Sequence, residues 1–539
     1  MSEFVWSVDS MILKEDLLFG FGWVFHKEQM ITGVRIKLSS SILANTEFIT
    51  ADAGKQREDV KYTFPDLPNA LNSGFVVFGA FHVSPLDAVS IECLVEDGSV
   101  IELSVPLASV IRIPAGNDVN EQKMLRQFGI FFKRGLHLIR ARKFGSLFEK
   151  IQRYTKGRPK AVLHKPADLV SLLGQKDCKN MSLIVDHDLG GGANHYRDRL
   201  VESIIQNGSS VVVLTYHVAT LTYMVIVKSR HLNVRYALPN EAFLLEAAKY
   251  MEVSDIIYNN AVSFPHPERI ALLLIKLKQF TSARLKMLVH DFYLVCPSHF
   301  LLNDTGIFCD IPDVRVCTSC LSKNQQGFVS LFTARNITAW RSLWGGVLVL
   351  SDEIVTFSNS SAQLLRKAYP QIESTKIHVI PHKVEYLNKP LPEITQTNRL
   401  QIGVVGQIGF HKGAMFVKAL SQEIKRRNAD IKIVVIGTLE SICDADIVSQ
   451  TGSYRHDDML SLIEKSGANI FLFPSICPET FSYVVQELMD MNLPVASFNF
   501  GAPAERLISY PKGLVLDSMD PAVVLDDLVS FHRKIYLAY

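Results

Sequence analysis

The chain has 539 residues, of which 48% are hydrophobic, 20% charged and 9% aromatic, with 30 Gly and 22 Pro. Its length allows about three or four domains. The composition is that of a globular protein and excludes a disordered chain, a collagen-like fibre or a disulfide-dense secreted scaffold. The formal charge of +2 argues against a globally basic nucleic-acid binder, so no nucleic-acid partner is expected.

Residues 1–115 are expected to form a β-rich module. Short apolar, often alternating runs (Phe19–Phe25, Gly33–Leu38, Gly74–Phe78, Ala88–Leu94) are separated by turn residues such as Asp97 and Gly98. That pattern predicts a small sandwich. Such a module either assists folding and docking or binds carbohydrate through exposed aromatics such as Trp23.

Residues 116–177 are expected to be a basic helical connector. Between 121 and 160, twelve Lys and Arg face only Glu121 and Glu149, so the segment carries +10 and the other 499 residues sum to −8. Phe128, Phe131, Phe132, Leu136, Phe144 and Phe148 interleave with the charges. Basic and aromatic faces on one helix suit an anionic membrane surface; helices packed on the core with a solvated basic face fit equally well. The N-terminus has acids where a signal peptide needs a basic start, and no stretch of about 18 apolar residues lacks charge. The eight cysteines are spread like thiols of a reducing compartment. A cytoplasmic protein is expected, peripheral on the inner membrane face through 121–160.

From 178 strands and helices alternate. Expected strands are Ser182–Asp188, Ser210–Tyr216, Asn233–Leu238, Asp255–Asn259, Lys286–Asp291 and Glu353–Phe357, with helices His195–Asn207, Glu241–Met251 and Ser360–Tyr369 among them. Most of these strands are Val/Ile/Leu-rich, as when both sheet faces are covered. After the polar break Asn388–Asn398 come Leu400–Val405, Ile431–Ile436, Ile470–Phe473 and Pro494–Ser497, then a last helix within Ser518–Tyr539. The fold class expected is α/β: two Rossmann-like doubly wound domains, 178–388 and 389–539, flanking a cleft.

Four places carry chemistry. In Leu183–Asn194 a strand runs into Gly190-Gly191-Gly192 and a helix; Gly191, Gly192 and Asn194 are candidates for close approach to an anionic or sugar ligand. Lys286–Tyr293 is a strand ending in His290. A loop over 293–325 carries Cys296, Cys309, Cys317 and Cys320. Four thiolates with one C-x2-C pair can close a tetrahedral structural zinc site, which would clip a loop with little core of its own. Finally, a buried strand ends at Pro474, and a helix is expected to begin near Thr480. Glu479 lies at that helix start and Glu487 two turns on. The N–H groups of Thr480, Phe481 and Ser482 would face an anion with the helix dipole behind them.

The stretch Pro478-Glu-Thr-Phe-Ser-Tyr-Val-Val-Gln-Glu487 resembles the E-x7-E signature of retaining GT-B glycosyltransferases of the group 1 type. Gly403-Val-Val-Gly406 with His411-Lys-Gly413 resembles that family's phosphate-binding strand and loop, and Gly501–Glu505 its later loop. The likeness covers about residues 180–539. It implies a nucleotide-diphosphate-sugar donor, a glycan or lipid-linked acceptor, retained anomeric configuration and no catalytic metal. It implies that Glu479 holds hydroxyls of the donor sugar, Glu487 the ribose and Lys412 the diphosphate. It implies that His290 orients substrate and that the glycine turn faces donor and acceptor. Many members have Arg where this chain has Gln407, which supplies neither charge nor a bidentate fork. Surface polysaccharide synthesis of bacterial type is the expected setting. A GT-B epimerase or hydrolase, or a silent glycan-binding scaffold, are the competing expectations.

Overall fold

A computed structural model describes residues 3–40, 42, 44–113, 166–173, 180–218, 221–324, 336–384, 391–392, 394, 398–441 and 443–537. Of the basic connector, only the helix Pro166–Leu173 falls among them; the segment 121–160 lies outside the described residues.

The N-terminal residues form two packed sheets. One has the order Asp52–Lys55, Gly74–Ala80, Leu17–His26, Phe4–Lys14, Ile111–Ile113; the other Asn45–Thr50, Ile31–Ser40, Ala88–Val95, Val100–Val105. In Ile31–Ser40 the period of two is plain: Val34, Ile36 and Leu38 are buried on one face, while on the other Arg35 pairs with Glu92 and Lys37 with Glu102. Leu17–His26 breaks this rule, being buried along most of its length. Its sheet is the middle of three layers. One face meets the other sheet, and on the opposite face Ile12, Leu17, Phe19, Phe78 and Ala80 join the core of the first α/β unit. There the Phe78 and Tyr216 rings stack at 5.9 Å. Gly22 sits in this strand because a Cβ would stand 2.3 Å from the Ser7 carbonyl oxygen. Trp23 is half-buried against Phe25 and Phe64, in a cluster with Val60 and Ala70. It is a packing residue and not the exposed platform expected for a sugar.

The first α/β sheet runs Asn233–Leu238, Thr222–Lys228, Ser210–His217, Met181–Val185, Val253–Tyr258, Arg284–Leu288, Glu353–Thr356, Ile377–Val379. Six strands are parallel, and Thr222–Lys228 and Asn233–Leu238 add antiparallel at one edge. Thr222–Lys228 alternates in burial, as an antiparallel strand with one covered face should. The second sheet has six parallel strands: Val448–Gln450, Lys432–Leu439, Gln401–Ile408, Ile470–Phe473, Val495–Phe498, Gly513–Leu516. The last helix, Pro521–Tyr536, starts with Pro in its first turn and an Asp520 cap that accepts from the Ala522 and Val523 N–H groups.

Two parallel sheets place their functional loops at the C-terminal strand ends. The loops after Val185, Leu288, Ile408 and Phe473 are the ones singled out by sequence.

Candidate functional site

In the second unit the loop after Gln401–Ile408 is a single 3-10 turn, Phe410–Lys412, closed by Gly413 at φ +84°. A Cβ at Gly413 would stand 2.0 Å from the Pro474 carbonyl oxygen, so only glycine lets the two loops meet. Ile476 N–H donates to the His411 carbonyl at 3.0 Å, joining them. Gly501, at φ +70°, lies against the backbone of Pro478 and Glu479, and Ala502 N–H donates to the Glu479 carbonyl at 2.9 Å.

These contacts bring Lys412 and Glu479 to one place. The Cys477 thiol, which burial pushes up to about 12, feels both the Glu479 carboxylate and the Lys412 ammonium. Both side chains are half-buried. Among the described residues neither charged head makes a hydrogen bond or an ion pair. Two side chains of opposite charge that both act on one thiol and are committed to no protein partner are poised for a polar ligand. Gln407 is exposed at the end of the same strand, opposite Thr438.

The helix that follows begins at Tyr483, not near Thr480. Ser482 takes φ +67° and caps the helix, its Oγ accepting from Val485 N–H at 3.4 Å. Thr480, Phe481 and Ser482 therefore precede the first turn, and two of them serve another purpose. The Thr480 hydroxyl donates to the His290 carbonyl at 2.8 Å across the cleft. The Phe481 ring is buried with Ile184, Ile257, Leu288 and Phe357 of the first unit. Glu487 is buried on the helix, its Oε1 2.8 Å from His456 Nε2. His456 lines a cavity of about 540 Å³ with Tyr454, Arg455 and Asp457. Glu487 thus stands behind a cavity wall, with a histidine as intermediary that the sequence did not disclose.

In the first unit Gly190 and Gly191 have φ +82° and +91°, and Gly192 is small for a different reason: a Cβ there would meet the Tyr483 ring at 2.9 Å. Asn194 is a buried brace. Its Oδ1 accepts from Gly190 N–H at 2.6 Å and its Nδ2 donates to Asp186 at 2.7 Å. Asp186 also pairs with Arg197 at 2.9 Å. This carboxylate and amide shape the turn from within.

His290 Nε2 lies 2.9 Å from Asn259 Oδ1. Asn259 Nδ2 donates to the Ala193 carbonyl, so Oδ1 is the acceptor and His290 carries its proton on Nε2. Burial holds the ring well below the usual imidazole range, and His382 and His187 add repulsion. It is a neutral imidazole, suited to orienting a substrate rather than to carrying charge. Its ring stacks on Phe357 at 4.5 Å, with Tyr196 and His382 edge-on. His382 Nδ1 lies 2.6 Å from the Tyr483 hydroxyl, and Arg199 donates to that hydroxyl at 2.9 Å. Glu505 accepts from the N–H groups of Asn359 and Ser360 at 3.0 and 2.8 Å, capping a helix of the first unit. Arg199, His382, Tyr483 and Glu505 were missed as site residues. Tyr483 and Glu505 fall inside the motifs already noted, but nothing local marks these contacts, because the partners lie 101 to 284 residues away.

The zinc expectation is not supported. Among the described residues no three His, Cys, Asp or Glu side chains are grouped to hold a metal ion. The four thiols are neighbours, but each has its own environment. Burial pushes Cys296 up to about 12 and raises Cys309. Cys317 donates to the Pro312 carbonyl at 3.5 Å, and Cys320 accepts from Asn324 at 3.4 Å. The premise of a coreless loop also fails, because Leu294, Val295, Leu301, Leu302 and Ile311 are buried. Apolar packing does what a metal clip was expected to do. This loop also reaches the second unit, where the Phe300 ring stacks on His411 at 4.0 Å.

Residues 399–533 match the family model described as Glycosyl transferases group 1, so the second α/β unit is a domain of that family. No curated protein matches the chain in sequence. Among solved structures, the chain is similar to a sucrose-phosphate synthase from Thermosynechococcus elongatus (16% identity, 67% of this chain and 94% of that one, TM-score 0.42). It is also similar to a glycosyltransferase from Rickettsia africae ESF-5 (15%, 67% and 92%, 0.43). A third likeness is to Anabaena HepE in complex with UDP-glucose (14%, 66% and 90%, 0.40).

Proposed function

We propose that this chain, whose second α/β unit is a group 1 glycosyltransferase domain, is a retaining glycosyltransferase. It would move a sugar from a nucleoside-diphosphate sugar to a hydroxyl of a glycan or lipid-linked acceptor, in surface polysaccharide synthesis of bacterial type. The observation that carries this reading is the backbone contact that joins the Lys412 turn to the loop leading to Glu479, through Gly413 against Pro474 and the Ile476 N–H on the His411 carbonyl. Lys412 would stabilise the diphosphate as it gains charge on leaving, a service most valuable in the transition state. Glu479 would accept hydrogen bonds from hydroxyls of the donor sugar. Glu487 would meet the ribose once His456 yields. His290, kept neutral by burial, would orient the acceptor or the sugar. Gly191 and Gly192 would keep the first unit's wall thin. Gln407 would offer a polar contact without charge, and Lys412 would be the cation that replaces a metal.

The test is a panel of UDP-, ADP- and GDP-sugars, with and without glycan acceptors, followed by product release and anomeric configuration. One donor should give nucleoside diphosphate and a glycoside of unchanged anomeric configuration. Inversion would sink the retaining assignment, and an epimerised sugar with no acceptor product would favour the epimerase.

The basic segment 121–160 would hold the enzyme on anionic membrane, where lipid-linked acceptors lie. Co-sedimentation should be strong on phosphatidylglycerol vesicles, weak on phosphatidylcholine, and lost on deleting 121–160. Equal pelleting of the deleted protein would refute this role.

A further inference from the structure

The N-terminal sandwich touches both α/β units, and one contact reaches the loop that carries Lys412. The sandwich is anchored on the first unit by a shared apolar core and by Asp16, whose carboxylate meets His266 at 3.2 Å. Lys55, at the end of an edge strand, turns instead to the second unit. Its Nζ lies 2.8 Å from Glu440 Oε1, a partner 385 residues on, and 2.8 Å from Asp52 Oδ1.

Glu440 is placed where a small movement matters. It directly follows the strand Lys432–Leu439, and its carboxylate lies across Gly409, where a Cβ would stand 2.9 Å from Oε2. The same carboxylate accepts the Phe410 N–H, and Glu440 N–H donates to the Ile408 carbonyl at 3.0 Å. Gly409 and Phe410 open the turn that ends in Lys412. A continuous path therefore runs from the sandwich through Lys55 and Glu440 to the lysine turn. Lys55 also acts electrostatically on the His411 ring, which places its charge close to the turn.

We propose that Lys55 is a positioning residue for the donor diphosphate: through Glu440 it fixes the Gly409–Lys412 turn, making the sandwich a working part of the donor site. This rests on the donor-site reading above. A half-exposed ion pair transmits a modest effect, so the expected change is roughly three- to ten-fold.

The probes are UDP, ADP and GDP, titrated calorimetrically into the full-length protein. For the tightest of the three, Lys55→Met should weaken binding roughly three- to ten-fold, and Lys55→Arg should restore it to within about two-fold. Binding of the matching nucleoside monophosphate should change less, because the turn addresses the second phosphate. Glu440→Gln tests the path from its other side, and the Lys55→Met/Glu440→Gln double variant should be no weaker than the worse single one. Unchanged diphosphate binding in both single variants, or strictly additive losses in the double variant, would overturn the proposal. Lys412→Ala separates the two readings. If it leaves diphosphate binding intact, or if the wild type binds none of the three, the donor-site reading itself fails. If it abolishes binding while Lys55→Met does not weaken it, only the role of Lys55 fails.

Discussion

Glu479→Ala is expected to lower kcat for sugar transfer by about two to three orders of magnitude, the cost of removing one preorganised electrostatic partner of a transition state. Folding should be nearly untouched. The Glu479 side chain makes no hydrogen bond or ion pair among the described residues. Its loop is held by backbone, through Gly501 and the Ala502 N–H. Arg506, a cation that this carboxylate acts on, keeps other partners in the Phe481 and Ser482 carbonyls and Gln486. Removing the carboxylate therefore strands no buried charge, and the thermal midpoint should move by no more than about 2 °C. Glu479→Gln retains the shape and one acceptor, so its loss should be smaller. A variant that turns over at the wild-type rate would remove Glu479 from the site.

Local pattern carried the sequence reading wherever the physics is local. The buried strand Ile470–Phe473 appears with the expected bounds, because a short Val/Ile/Leu/Phe run between turn signals has few alternatives. The glycine-lysine turn at Lys412 and the Pro-Glu loop at Glu479 are local signatures too, and the structure joins those two loops through backbone. Where the answer depends on the other end of the chain, local pattern did not suffice. Leu17–His26 is apolar on both faces only because a separate unit covers its sheet. Asn233–Leu238 forms the expected strand, but its antiparallel place depends on Thr222–Lys228, whose alternation is weak in sequence. The thiol cluster had metal-like spacing, yet packing by Leu301, Leu302 and Ile311 is invisible in spacing. Sequence points to the Thr480 backbone, while its hydroxyl bridges to a strand end 190 residues earlier.

The second large effect is expected at Gly413, and it separates geometry from charge in the lysine turn. Gly413→Ala introduces a Cβ that would stand 2.0 Å from the Pro474 carbonyl oxygen. That neighbour is backbone, in the loop that leads to Glu479, so no flexible side chain can give way. The backbone also sits at φ +84°, itself worth roughly 1 kcal/mol against alanine. Gly208 supplies the control. It has φ +85° with nothing within 4 Å of its missing Cβ, so Gly208→Ala isolates the conformational cost at about 1 kcal/mol. Gly413→Ala should cost about 3 kcal/mol or more, because it adds the clash. For a unit of this size that lowers the thermal midpoint by roughly 6–12 °C. It should also uncouple Lys412 from Glu479, because the two loops can relieve the clash only by moving apart. Nucleoside-diphosphate binding and turnover should then fall together. Lys412→Met removes the charge and leaves the turn in place, so it should weaken diphosphate binding with an unchanged midpoint. If Gly413→Ala melts and binds like Gly208→Ala, the two loops are not locked as the backbone contact implies, and the joint placement of Lys412 and Glu479 loses its physical basis.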